Sequence, residues 1–140
     1  MAVAWRPLAA GLALATLLAG CSAPVRPEPP SAAPPSASVP VPAGGVSLAD
    51  LGFRNGPVAA FTLPQTAVIS TRVDQPNGVT VVLSSPTAPE IAGYLRRELP
   101  GTGFTVTADR ESAASLTFTG YGWQGSFTGS GSSSAVILRP

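Results

Sequence analysis

The 140-residue chain has no histidine and no lysine, a single cysteine, and charged side chains at only 11% of positions. Each shortage excludes a class of function. Without histidine, and with one thiol, it cannot assemble the common zinc sites, a Ser-His-Asp triad or a Cys-His pair. Eight arginines against seven acids leave a formal charge of +1 with no basic cluster, so there is no electrostatic footprint for nucleic acid. Aromatic residues make up 6%. Glycine and proline are abundant by contrast, at 15 and 16 residues, which marks part of the chain as unable to pack a core. The length allows one domain at most.

Arg6 is the only charge before residue 26, and an apolar run of eleven residues follows from Leu8 to Leu18. As a helix such a run spans about 16 Å, roughly half of a bilayer's hydrocarbon core. It fits the hydrophobic region of a signal peptide and is too short for a transmembrane anchor. Leu18-Ala19-Gly20-Cys21 comes next. A thiol is the strongest nucleophile among the side chains present, and the two small residues before it leave the preceding peptide bond open to approach.

These four residues resemble the lipobox of bacterial lipoprotein signal peptides. The resemblance implies cleavage after Gly20, lipidation of Cys21 as the first mature residue, and residence in the cell envelope on the extracytoplasmic side of a membrane. Two or more acyl chains anchor stably where one is marginal. Ser22, in place of the aspartate that signals inner-membrane retention, implies the outer membrane in a diderm cell.

Composition then divides the chain. Residues 1–20 read as signal peptide and 21–45 as a tether, because eight of the 24 residues from Ser22 to Gly45 are proline. Proline fixes φ, removes donors and extends its neighbour, so the segment reads as a disordered, semi-rigid spacer reaching about 70 Å at full polyproline II extension.

Residues 46–140 read as a small α+β domain. Ser47 to Leu51 suggests a helical turn, and Val58 to Leu63 a short extended piece ended by Pro64. From Thr66 the pattern has period 2, with Ala67, Ile69, Thr71 and Val73 on one face. Asn77-Gly78 predicts the hairpin turn into Val79–Leu83, whose residues 79, 81 and 83 share a face. Thr87, Pro89 and Glu90 have the form of a capping box opening a helix whose Ile91, Leu95 and Leu99 repeat every four residues, widened by Tyr94. A strand with Phe104, Val106 and Ala108 inward follows, then a polar connection from Asp109 to Ala113. Strands at 115–119, 123–128 and 135–138 complete the reading. The expected order is β-β-α-β-β-β, an antiparallel sheet of about five strands with one helix on a face. This order, with Tyr94-Leu95 on the helix and Gly103-Phe104 opening the next strand, resembles small extracytoplasmic domains of bacterial envelope lipoproteins, and that likeness implies fold and location only.

Chemistry is sparse. Gly120-Tyr121-Gly122-Trp123-Gln124-Gly125 spells G-x-G-x-x-G, but strand-like sequence follows where a dinucleotide site needs a helix N-terminus. The glycines read instead as allowing a bend or bulge. The serines at 126, 130, 132, 133 and 134 have no base and no G-x-S-x-G elbow. Asp109 and Glu111 lie two apart in a predicted loop, where acids serve as turn formers or solvated charges. No metal or cofactor site emerges.

Tyr121, Trp123 and Phe127 share strand parity. They either present a flat face to sugar rings or a partner protein, or Trp123 and Phe127 fill the core opposite Leu95. The functional expectation is a non-catalytic accessory or interaction module of an envelope protein complex. The alternative is a module binding cell-wall glycan or a small ligand through this aromatic strand.

Overall fold

The computed structural model describes residues 39–140. The signal peptide, Cys21 and all of the proline-rich segment up to Ser38 lie outside the described residues.

Six strands form one antiparallel sheet: β3 (Val68–Gln75), β4 (Gly78–Ser85), β5 (Thr105–Arg110), β6 (Ser115–Gly120), β7 (Trp123–Ser130) and β8 (Ser133–Arg139), in the order β3-β4-β8-β7-β6-β5. A helix, α1 (Ala88–Glu98), leads from β4 towards the far edge at β5. Two three-residue strands, β1 (Gly45–Ser47) and β2 (Thr62–Pro64), pair separately. The α+β class and the helix on one face are as expected. The strand count is not: there are eight strands in two sheets rather than about five. β1 and β2 are too short to display a period, and the order β-β-α-β-β-β counts one strand fewer than the six segments legible from residue 66 on, all of which lie in the main sheet.

The C-terminal strand does not lie at an edge. β8 pairs with both β4 and β7, joining the β3–β4 hairpin to the β5–β8 meander at the centre of the sheet. One face of the sheet is buried. Val79, Val81 and Leu83 of β4, Leu116 and Phe118 of β6, Phe127 of β7, and Val136 and Leu138 of β8 all point beneath the helix. Ile91, Leu95 and Leu99 meet them, and Glu90 completes the capping box by accepting the Thr87 backbone N–H at 2.9 Å. Tyr94 is buried too, its hydroxyl 2.9 Å from that of the buried Thr62, which ties the helix to the small sheet. Phe61, Phe104 and Phe118 form the aromatic centre: Phe61 stacks on Phe118 at 5.6 Å, and Phe104 meets both edge-on.

Bulges correct three readings. The β3–β4 register shifts around Ile69 and Thr71, so Ile69 faces inward opposite Leu83 whereas Val73, opposite Thr80, is turned outward and 40% exposed. Past the shift it is Arg72 and Asp74, opposite Val81 and Val79, that stand on the inner side, where they meet the 51–56 loop. The Arg72 guanidinium sits 4.1 Å over the Phe53 ring, and the Asp74 carboxylate accepts the backbone N–H groups of Arg54 and Asn55 at 2.8 and 3.1 Å. A second bulge at Thr107 takes Ala108 out to solvent, leaving Phe104 and Val106 as the inward residues there. Asp109 and Arg110 also belong to β5 rather than to a loop.

The β3–β4 turn is Pro76-Asn77, one residue earlier than Asn77-Gly78, since Gly78 already pairs with Gln75. Proline's fixed φ suits the first central position of such a turn, so no positive φ is required. Finally, Val39 packs against the core and Gly45 donates to the Pro42 carbonyl at 2.9 Å, so the folded unit reaches back into the stretch assigned to the tether.

Candidate functional site

The aromatic residues of the C-terminal strand do not form one surface. Phe127 is fully buried. Trp123 is partly buried against the core and its indole packs beside Gly56, where an added Cβ would stand 3.5 Å from the ring. Tyr121 is 52% exposed, but it sits in the β6–β7 turn rather than on the strand. Its φ of 56° beside Gly122 at 75° gives the two positive values of a type I′ hairpin. Its hydroxyl donates to the Thr102 carbonyl at 2.6 Å, and its ring meets Phe104 edge-on at 5.3 Å.

The glycines of G-x-G-x-x-G are explained by the same geometry. Gly122 serves the turn. Gly120 and Gly125 leave room on the inner face for the rings of Phe104 and Phe118, so they permit close ring packing and not the bulge expected. Strand β7 follows the motif, which leaves no helix N-terminus to hold a pyrophosphate.

The concave feature lies on the other side of the same strands. Because Leu116, Phe118, Gly125, Phe127, Val136 and Leu138 face inward, alternation turns Thr117 and Thr119 of β6, Gln124 and Ser126 of β7, and Ile137 and Arg139 of β8 outward. These residues and Thr107 line a groove of about 650 Å³ on the open face. Ladder pairing sets Thr119, Gln124 and Arg139 in one row across three strands, and Thr117, Ser126 and Ile137 in the next. The bulge brings Thr107 alongside Thr117, their hydroxyls 2.9 Å apart. Ile137 supplies an apolar patch in the floor.

Arg139 is the groove's one charged side chain. It takes part in neither of the two ion pairs found among the described residues, Arg96–Asp109 and Arg97–Glu98. No carboxylate lines the groove.

The acids are used elsewhere. Asp109 accepts two hydrogen bonds from Arg96 at 2.7 and 2.8 Å; these bonds, with the arginine's charge, hold its carboxyl below the usual range. At Asp74 desolvation is the largest single effect and pushes upward, but the Asn55 amide, the two backbone N–H groups and Arg72 together outweigh it and pull its carboxyl down. Burial pushes the Tyr94 hydroxyl up. Among the described residues no cluster of three metal-ligating side chains occurs, and no helix is long and apolar enough to cross a membrane. Ser130 and Ser133 pair at the β7–β8 hairpin around Gly131-Ser132, and Ser134 is buried on the inner face. Cys21 and its lipobox lie outside the described residues.

The groove residues, Thr107 among them, are the outward complement of strands legible in the sequence, except Arg139, which lies one residue past the strand read at 135–138. Isolated threonines and serines on an outward face are ordinary, so the sequence does not single them out. Only the lateral order of the strands brings them together. No protein-family model, curated protein or solved structure matches the chain.

Proposed function

We propose that the chain is a lipid-anchored lipoprotein of the bacterial envelope, held at a membrane through Cys21, whose folded domain is a non-catalytic module that binds a polar ligand, cell-wall glycan foremost, in the groove on its open sheet face. The observation that carries the binding role is that groove. Its volume of about 650 Å³ falls in the range of small-ligand sites, and hydroxyls, an amide and a guanidinium line it where an ordinary protein interface has an apolar centre. The anchor rests on Leu18-Ala19-Gly20-Cys21, and the outer-membrane location in a diderm cell on Ser22.

The glycan reading thus moves from the aromatic side of β7 to its hydroxyl side. Docking onto an envelope protein complex is the second reading, favoured by the exposed Val68 and Val73 on edge strand β3. Titration of the full-length lipidated protein, in detergent micelles, with soluble cell-wall disaccharides tests the proposal. Saturable binding to the wild type that Ser126→Trp abolishes is the expected result. Binding that survives Ser126→Trp removes the groove from the account.

A further inference from the structure

The hydroxyl-bearing side chains in the groove, and the Gln124 amide, are both donors and acceptors, as sugar hydroxyls are. Arg139 is different. It is an exposed guanidinium with no ion-pair partner among the described residues, placed directly opposite Gln124 on the neighbouring strand, in a groove whose described lining carries no other charge of either sign. A guanidinium presents a planar fork that matches a carboxylate bidentately. From Arg139 on β8 across Gln124 on β7 to Thr119 on β6 is two inter-strand steps, about 10 Å. Two linked sugar rings bridge that span.

We infer that the ligand of this groove is an acidic saccharide, its carboxylate gripped by Arg139 and its ring hydroxyls met by Gln124, Thr119, Thr117 and Ser126. This rests on the groove reading above and adds the charge of the ligand to it. A neutral glycan uses only the hydroxyl rows. An acidic one also satisfies the guanidinium.

A matched pair of probes separates the two statements. N-acetylglucosaminyl-N-acetylmuramic acid and N,N′-diacetylchitobiose share their ring framework and differ in the lactyl group, with its carboxylate, of the former. Calorimetric titration of the full-length lipidated protein in micelles is expected to show the acidic disaccharide binding at least about tenfold more tightly, the discrimination of a charge-assisted hydrogen bond. Arg139→Gln should erase that preference, bringing the acidic disaccharide down to the affinity of the neutral one, while Arg139→Lys should retain part of it. Added salt should weaken only the acidic ligand. Arg139 is exposed, so these variants keep the fold, which circular dichroism checks.

Equal affinities for both sugars, each lost on Ser126→Trp, would overturn the acidic inference and leave the groove reading standing. If neither sugar binds, or Ser126→Trp changes nothing, both fall.

Discussion

Gly125 carries no side chain, yet the aromatic core depends on it. It pairs with Phe118 across the β6–β7 ladder, and a Cβ there would overlap Cε2 and Cζ of that ring and stand 2.7 Å from Cδ2. The ring has nowhere to retreat. It is stacked on Phe61 at 5.6 Å and 13°, and Phe104 closes the adjacent side edge-on at 5.7 Å. Gly125→Ala therefore forces displacement of a packed ring, an overpacking cost of about 1–3 kcal/mol. Against this stands the ~0.5–1 kcal/mol that alanine regains over glycine in an ordinary strand position.

The net loss is about 1–2 kcal/mol, a Tm lower by about 5–15 °C for a domain of this size. Urea and thermal unfolding of the full-length protein measure it. Phe118→Leu in the same background supplies the decisive arm. With the ring gone, Gly125→Ala should cost nothing further, giving a coupling of about 1–2 kcal/mol between the two sites. A Gly125→Ala variant as stable as the wild type, or strictly additive effects, would refute the packing argument.

Two further outcomes follow from the polar contacts. Tyr94→Phe leaves the buried Thr62 hydroxyl without its partner and should cost about 1–2 kcal/mol by urea denaturation, with Thr62→Val recovering part of the loss in the double variant. The carboxyls of Asp74, Glu90 and Asp109 are all held below their usual range in the folded protein. Their contribution is thus fully present above the unfolded carboxyl pKa, near 4, and is lost as pH falls through the lower folded values. Urea midpoints measured from pH 7 down to 2.5 should hold steady and then decline below about pH 5, and Asp74→Asn should make the decline shallower.

Local signals account for what is legible in the sequence. Thr87, Pro89 and Glu90 set the start of α1, and the four-residue repeat of Ile91, Leu95 and Leu99 sets its buried face, because capping and helical periodicity operate within a few residues. Val79, Val81 and Leu83 read as one face for the same reason. Alternation fails where a residue is inserted. At Ile69–Thr71 and at Thr107 a bulge reverses parity, and nothing nearby announces it.

The groove is hidden for a different reason. Thr117, Ser126 and Ile137 become neighbours through the registers of the β6–β7 and β7–β8 hairpins, and alternation along one strand gives the parity of each residue but not which outward residue of the next strand stands beside it. The aromatic strand misleads for a chemical reason. Tyr121, Trp123 and Phe127 stand out by type, but in a domain with so few large side chains, Phe127 and Trp123 are drawn to the core side, while Tyr121 is held in the turn by its bond to Thr102.

The central claim is that the open sheet face is where this domain meets its ligand. Amide chemical shifts of the full-length protein in micelles, recorded as N-acetylglucosaminyl-N-acetylmuramic acid is added, test it most directly. The account predicts saturable shifts concentrated at Thr107, Thr117, Thr119, Gln124, Ser126 and Arg139, with the helix face from Ala88 to Glu98 unmoved. Shifts confined to the helix face or to the β3 edge at Val68 and Val73, or no saturable shifts at all, would contradict it.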